Sequence, residues 1–178
     1  MESSYITKEL DYSSVLKTVC FGLSPLTVIE IGIGTGFSLR CFVEWAPEKA
    51  EIKAYDLFDG FNGNHPPFDE TVKKFPGVPI SEGNFYELHH SIKDNSLDIL
   101  HVDVANNGET YQFALDNYWE KLTDKGIMIL EGGSEDRDQI EWMKKYEKLP
   151  IAPVLERNKN KFKILTFGKV PSITLIKK

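Results

Sequence analysis

The chain has 178 residues, of which 41% are hydrophobic and 12% aromatic, and this composition favours one globular domain with a full hydrophobic core. Its formal net charge of −6 disfavours a nucleic-acid partner, because neutralising phosphates requires a clustered excess of Lys and Arg. No apolar run reaches the roughly 18 residues that span a membrane, and the first residues lack the basic and then apolar order of a signal peptide. We therefore expect a cytoplasmic protein with no membrane partner and a single domain over residues 1–178.

The N-terminal quarter of the chain predicts a helix, a buried strand, a glycine-rich turn and a second helix. Apolar positions recur at helical spacing over residues 6–23, so we expect a helical segment within residues 1–24. Residues 26–31 then form a nearly continuous apolar run, which is typical of a strand buried on both faces of a parallel sheet. Three glycines follow at alternate positions, and residues 37–45 read as a short buried helix that ends before Pro47.

The glycines of this turn are Gly32, Gly34 and Gly36. Glycine permits positive φ and removes the Cβ atoms that would hold a ligand away from the main chain. A strand, a glycine turn and a helix in this order are a frequent binding site for a cofactor. The motif alone is equally compatible with an ordinary strand-to-helix connection, so the rest of the chain has to decide between these readings.

The next segments continue an alternation of strands and helices. A second strand over residues 51–56 ends on Asp56, twenty residues after Gly36, which is the interval at which a βαβ unit presents an acid to ribose hydroxyls. Residues 62–77 read as a loop that contains at most a short helix over residues 68–74. A short strand is expected over residues 78–81. A longer strand follows over residues 97–103 and ends on Asp103.

The C-terminal half predicts two helices and three strands. A helix is expected over residues 109–122, a strand over 127–130, a helix over 134–147, and a closing strand pair over 162–167 and 172–176. Between them, Arg157, Lys159, Lys161 and Lys163 recur at every second position. On a strand or hairpin they would share one side, as a solvated edge or as an anion-binding patch.

Together these elements predict an α/β fold with a Rossmann-like, doubly wound, mostly parallel sheet and a closing antiparallel strand pair. In such sheets, ligands bind beyond the carboxyl ends of the strands, near the topological switch point. Polar residues lie at or just after five predicted strand ends, and we expect them to share one rim: Glu30, Asp56, Asn84, Asp103 and Glu131.

With these motifs, the chain resembles the class I S-adenosylmethionine-dependent methyltransferases over nearly its whole length. The segment from Glu30 to Gly36 is similar to their first motif, an acid followed by three alternating glycines. The dinucleotide-binding motif GxGxxG would require glycine at position 37. This chain has Phe37 there, which disfavours a nicotinamide cofactor. The resemblance implies S-adenosyl-L-methionine as cofactor, bound by a set of seven residues: Glu30, Gly32, Gly34, Gly36, Asp56, Asn84 and Phe85.

A narrower resemblance, to the macrocin O-methyltransferase type, rests on the segments 55–61, 101–103 and 126–133. That type modifies sugar hydroxyls and often uses magnesium. In this chain Ala105 and Glu131-Gly132 stand where the type has further aspartates, so few oxygen ligands remain for magnesium. The resemblance therefore leaves the metal open.

The predicted reaction is methyl transfer to a hydroxyl of a small-molecule substrate, such as a sugar or a natural product. Its catalytic candidates are Asp103 and Glu131 at strand ends and His65 in the loop, because a hydroxyl acceptor benefits from a base. His101, inside a strand, reads as a hydrogen-bonded histidine of the sheet. The alternative function is a catalytically inactive module that binds the cofactor or a partner protein. A homo-oligomer is compatible with either reading.

Overall fold

The computed structural model describes residues 11–58 and 66–178. These residues form seven strands: β1 (Thr27–Ile31), β2 (Glu51–Asp56), β3 (Ile80–Glu82), β4 (Leu97–Val102), β5 (Leu122–Glu131), β6 (Lys163–Gly168) and β7 (Ser172–Lys177). They also form eight α-helices: α1 (Tyr12–Leu23), α2 (Phe37–Trp45), α3 (Phe68–Lys74), α4 (Phe85–Leu88), α5 (Gly108–Asn117), α6 (Glu135–Asp138), α7 (Glu141–Lys145) and α8 (Ala152–Asn158).

The strands form one sheet in the order β3-β2-β1-β4-β5-β7-β6. The first five strands of this order pair in parallel, whereas β7 is antiparallel to both β5 and β6. The chain leaves β1 toward β2 on one side and reaches β4 on the other, so the order reverses between β1 and β4. This topology confirms the predicted doubly wound sheet with a closing antiparallel pair.

Helices cover both faces of the sheet. One face packs Leu16 and Phe42, from α1 and α2, against the central strands. The other face packs Tyr111 and Leu115 of α5 together with residues of α8. Every residue of β4 is buried, which explains why the central strands read as continuous apolar runs rather than as alternating ones.

The predicted helix over residues 134–147 is wrong as a single helix, because the chain forms α6 and α7 with a break between them. Asp138, at the end of α6, turns its carboxylate to the amides of Ile151 and Ala152, at 2.7 and 2.8 Å, and so holds the start of α8. No pattern in the sequence predicted α8, which includes Arg157. The alternating basic residues therefore do not share a strand, and only Lys163 lies in β6.

No helix in the described ranges is long and apolar enough to cross a lipid bilayer.

Candidate active site

The glycine turn leads from the end of β1 into α2, and its glycines all have positive φ, from 51° to 90°. A Cβ at Gly32 would lie 2.1 Å from the carbonyl oxygen of Asp103, and a Cβ at Gly36 would lie 2.5 Å from the ring of Phe75. The packing of the chain itself therefore requires glycine at both positions. Gly32 and Gly34 also line a cavity, whereas Gly36 lies against Phe75, apart from that lining.

The cavity has a volume of about 650 Å³ and lies at the carboxyl ends of β1, β2, β4 and β5. This is the edge of the sheet where the strand order reverses, as expected for a ligand site in a doubly wound fold. Its volume falls in the range of about 300–1,000 Å³ that is typical of small-molecule sites. Four of the five predicted rim residues line it: Asp56, Asn84, Asp103 and Glu131.

Asp56 ends β2 and connects it to the glycine turn. Its Oδ2 accepts hydrogen bonds from the amides of Ile33 and Gly34, at 2.7 and 3.1 Å, and its Oδ1 accepts one from the amide of Phe58 at 3.3 Å. A carboxylate offers about four acceptor positions, so Asp56 holds the turn in shape and still has capacity for a ligand.

Asn84 and Phe85 begin α4 at the wall of the cavity. The side chain of Asn84 caps this helix by accepting a hydrogen bond from the amide of Tyr86 at 3.0 Å. Phe85 is 3% exposed and stacks on Tyr118, with the ring centroids 5.2 Å apart. Its neighbour Tyr86 is 47% exposed and also lines the cavity, so it presents more aromatic surface to a ligand than Phe85 does.

Glu30 is fully buried and does not line the cavity. Its Oε1 accepts hydrogen bonds from the hydroxyl of Ser38 and from Nδ1 of His101, the latter at 3.0 Å. On the other side of the imidazole, Nε2 of His101 lies 2.9 Å from the hydroxyl of Tyr12. The prediction that His101 is a hydrogen-bonded histidine of the sheet is therefore confirmed.

Asp103 follows β4 and projects its carboxylate into the cavity. The residue is exposed to solvent, although enough protein atoms lie around its carboxylate to remove part of its hydration. This desolvation raises the pKa of Asp103 to about 6; the negative charges of Glu131 and Glu30 raise it further, while His101 and Arg137 act in the opposite direction. No hydrogen bond from within residues 11–58 or 66–178 reaches this carboxylate, which leaves it open to a ligand.

Glu131, at the end of β5, is held by a guanidinium group. Nε and Nη2 of Arg137 donate hydrogen bonds to its two oxygens at 2.8 and 2.9 Å. The guanidinium also lies over the ring of Trp142, 5.9 Å from the centroid. Because both oxygens of Glu131 are engaged, this carboxylate is not a free base.

The ion pair between Arg137 and Glu131 also affects whether the cavity could bind a magnesium ion. Magnesium requires near-octahedral oxygen coordination at about 2.0–2.1 Å, and a guanidinium bound to Glu131 would repel it. The amide nitrogen of Asn106 donates to the carbonyls of Val102 and Glu131, and Asn107 caps α5. In the part of the chain that the structure describes, no three His, Cys, Asp or Glu side chains cluster as a metal site would require. Within the described ranges the carboxylate of Asp103 and Oδ1 of Asn106 have no hydrogen-bond partner, but two such side chains are too few to form an octahedral magnesium site from protein ligands.

The cavity-lining residues that no motif in the sequence indicated include Tyr12 and Arg137. Tyr12 is the first residue of α1, and its sequence position carries no motif. Arg137 stands among the acids of α6, which read as a favourable helix N-terminus rather than as the surroundings of a cation. The third catalytic candidate, His65, lies outside the described residues.

The fold and the site together define a class I methyltransferase: a seven-stranded sheet with an antiparallel edge pair, a glycine turn after β1 and an acid after β2. Residues 29–131 match the family model described as a methyltransferase domain. The chain belongs to this methyltransferase family.

Solved structures with the same fold include several methyltransferases. An SAH-bound methyltransferase of Podospora anserina is 17% identical, with 93% of this chain and 76% of that chain covered and a TM-score of 0.65. A SAM-dependent methyltransferase of Aquifex aeolicus is 18% identical (93% and 87% covered, TM-score 0.63). An O-methyltransferase of Bacillus cereus in complex with SAH is 12% identical (97% and 84% covered, TM-score 0.62). No curated protein sequence gives a significant match.

Proposed function

We propose that this protein transfers a methyl group from S-adenosyl-L-methionine to a hydroxyl group of a small molecule, such as a sugar or another natural product. The observation that carries the proposal is the cavity above the glycine turn, with the carboxylates of Asp56 and Asp103 at its rim. Membership of the methyltransferase family supports the reaction. The SAH in two structures of the same fold supports the cofactor.

The residues around the cavity fit this cofactor. Asp56 has acceptor capacity for the ribose hydroxyls in addition to its bonds to the turn. Asn84, Phe85 and Tyr86 offer a polar group and aromatic surface for adenine. Asp103 offers an open carboxylate to the positive charges of the methionine portion.

S-adenosyl-L-methionine, when bound, supplies an electrophilic methyl group on a sulfonium sulfur. The work of the chain is then to align an acceptor oxygen with that methyl carbon and to exclude water, because correct positioning supplies much of the rate in a displacement of this kind. Asp103 would hold the charge of the methyl donor, and Asp56 would fix its ribose. Glu131 would contribute by holding Arg137 in place at the acceptor side of the cavity.

The charges of the cavity support a small neutral acceptor over a nucleic acid. Among the residues that the structure describes, the carboxylates of Asp56, Asp103 and Glu131 line it together with the guanidinium of Arg137. A nucleic-acid substrate would require a basic rim beside the strand ends. The fold of the Bacillus cereus O-methyltransferase supports a hydroxyl as the acceptor.

Thermal melting with S-adenosylmethionine, S-adenosylhomocysteine and NAD, all at one concentration of about 100 times the dissociation constant of S-adenosylmethionine, tests the cofactor. Binding at that level adds about 2.7 kcal/mol of stability, which corresponds to a rise in Tm of roughly 5–10 °C for a chain of this size. Both sulfur nucleosides should raise Tm and NAD should not. A shift with NAD alone would refute the proposal.

A second candidate function is a methyltransferase-like module without turnover. The observation that favours it is the engagement of Glu131 by Arg137, which leaves the site with fewer free bases than the sequence predicts. Transfer of a radiolabelled methyl group to a panel of phenols, catechols and glycosides separates the two functions. Cofactor binding without transfer to any acceptor would favour the module.

A further inference from the structure

A chain of hydrogen bonds runs from the cavity into the core of the sheet. Tyr12 lines the cavity, and its hydroxyl lies 2.9 Å from Nε2 of His101. Nδ1 of the same imidazole lies 3.0 Å from Oε1 of Glu30. Three elements contribute to this series of hydrogen bonds: α1 through its first residue, and β4 and β1 each through the second-last residue of the strand. Because β1 and β4 are paired, with Glu30 beside His101, the register of the sheet fixes the geometry.

The direction of each hydrogen bond in this series follows from the carboxylate of Glu30 at its buried end. The carboxylate of Glu30 can only accept hydrogen bonds, so Nδ1 of His101 and the hydroxyl of Ser38 both donate to it. Nε2 of His101 is then the unprotonated nitrogen, and the hydroxyl of Tyr12 donates to it. Burial, with added effects from Asp103 and Glu131, raises the pKa of Tyr12 well above its usual value and keeps this hydroxyl protonated.

The surroundings favour a function over a purely structural role. Glu30 and His101 have no solvent exposure, and Phe42 packs on the imidazole with its ring centroid 5.4 Å away. Burying a carboxylate and an imidazole is costly, whereas an apolar pair of similar volume would be neutral or stabilising. Oε2 of Glu30 has no hydrogen-bond partner within the described ranges, which adds to this cost. Of these three residues, Tyr12 is the one that lines the cavity in which an acceptor would bind.

We propose that Tyr12 is a catalytic residue that takes the proton of the acceptor hydroxyl, with His101 and Glu30 as the positioning residues behind it. This inference rests on the proposed function, since it requires a hydroxyl acceptor in the cavity. It provides a base without a metal ion, in a site whose Glu131 is already bound to Arg137.

The acceptor oxygen forms its bond to the methyl carbon as the carbon–sulfur bond breaks, and the electron pair of that bond stays on sulfur. The acceptor proton moves to the oxygen of Tyr12, while the proton of Tyr12 moves to Nε2 of His101. The resulting imidazolium is stabilised by the carboxylate of Glu30 and returns its proton to solvent through Tyr12 after the product leaves.

The other charged groups of the cavity are less suited to this task. The backbone of Asp103 lies beside the glycine turn, since its amide donates to the carbonyl of Ile31 and its carbonyl oxygen lies against Gly32. That position suits the positive methyl donor. Glu131 is bound to Arg137 through both oxygens. Asp56 is engaged with the amides of the turn.

Tyr12→Phe tests the assignment, because it removes one hydroxyl and leaves the ring. We expect kcat for methyl transfer to a hydroxyl acceptor from the phenol, catechol and glycoside panel to fall by about 100-fold or more. The KM of the acceptor and the Kd of S-adenosylmethionine, measured by calorimetry, should change by less than about threefold, and the Tm should confirm a folded variant. Tyr146→Phe, at an exposed tyrosine outside the cavity lining, is the matched control and should retain full activity.

Nitrogen-15 NMR of the histidine side chains gives a second measurement that needs no acceptor. His101 should carry its proton on Nδ1, and its Nε2 resonance should move in Tyr12→Phe. A proton on Nε2 would reverse the hydrogen bond to Tyr12 and overturn the assignment.

The possible outcomes separate this inference from the proposed function. Retention of kcat by Tyr12→Phe would overturn the role of Tyr12 and leave the methyltransferase function intact. A wild-type protein that binds S-adenosylmethionine but methylates no hydroxyl would overturn the role of Tyr12 and the hydroxyl acceptor, but not the cofactor. A failure of the wild-type protein to bind S-adenosylmethionine would overturn the proposed function itself.

Discussion

Arg137 holds Glu131 by two parallel hydrogen bonds of 2.8 and 2.9 Å, at the end of β5 and beside the open carboxylate of Asp103. The two side chains are 10% and 19% exposed, so water screens this ion pair only weakly. The pair determines which carboxylate of the cavity is free and which is not. It also places a fixed positive charge at a strand end where a metal ion would need acidic ligands.

Arg137→Met should lower the free energy of unfolding by about 2–4 kcal/mol, because it leaves Glu131 charged and partly buried without its partner. Urea denaturation measures the change. The double variant Glu131→Gln/Arg137→Met should be more stable than Arg137→Met alone. As a control, Lys159→Met breaks the exposed pair with Glu156 and should cost at most about 1 kcal/mol. Equal costs for the two single variants would contradict the importance of burial at Arg137.

Removal of divalent metals should leave cofactor binding and methyl transfer unchanged, because the guanidinium of Arg137 occupies both oxygens of Glu131. Calorimetry of S-adenosylmethionine binding with and without EDTA checks this, and titration with Mn²⁺ followed by electron paramagnetic resonance detects any site directly. One tightly bound Mn²⁺ per chain, or loss of activity in EDTA, would show that our interpretation of this ion pair is wrong.

Asp56→Ala should weaken binding of S-adenosylmethionine and also destabilise the fold. The variant leaves the amides of Ile33 and Gly34 without their acceptor, at a cost of about 1–3 kcal/mol. Asp56→Asn keeps one acceptor oxygen and should lose less stability while still losing affinity. Urea denaturation and calorimetry separate the two effects. Unchanged affinity in both variants would remove Asp56 from the cofactor site.

Stability and cofactor binding should both depend on pH through Asp103. Its pKa is about 6 in the folded protein against 3.8 for an unperturbed Asp, so between these values the folded state binds more protons than the unfolded state. Raising the pH through this window therefore lowers the free energy of unfolding. Asp103→Asn cannot ionise, so its stability relative to the wild type should increase from pH 4 to pH 7.

Affinity for the positively charged S-adenosylmethionine should move in the opposite direction, because the ionised carboxylate binds it. The wild-type protein should bind it more weakly below pH about 6, and Asp103→Asn should bind it weakly at every pH. Asp124→Asn, at an exposed acid near the other end of β5, serves as the control for both measurements. A pH-independent affinity in the wild type would exclude Asp103 as the partner of the cofactor's charge.

Two glycines provide a matched test of the turn. Gly36→Ala places a Cβ 2.5 Å from the Phe75 ring at a φ of 80°, and the left-handed backbone alone costs about 1–2 kcal/mol. Gly22→Ala lies inside α1, and beyond the backbone of its own helix no described residue comes within 4 Å of the added Cβ, so it should instead stabilise the protein by about 0.5–1 kcal/mol. Urea denaturation compares them. A neutral Gly36→Ala would mean that Phe75 yields to the new methyl group.

The sequence alone determined the sheet and the identity of its ligand-binding edge. Local patterns are sufficient for this: apolar runs in β1 and β4, the glycine turn, and the acid that ends β2 are each visible within a few residues. It follows from the parallel order that Asp56, Asn84, Asp103 and Glu131 share one rim, since the carboxyl ends of parallel strands lie at the same edge.

Only the tertiary structure decided which hydrogen-bond partners those residues have. Glu131 reads as a free carboxylate, but a cation six residues later reaches back to it. Tyr12 and His101 are 89 residues apart and meet only because α1 packs across the paired strands β1 and β4. Long-range packing therefore determines which side chains of the cavity are free and which are held by hydrogen bonds. No local pattern encodes which side chains from distant elements come within 3 Å of each other.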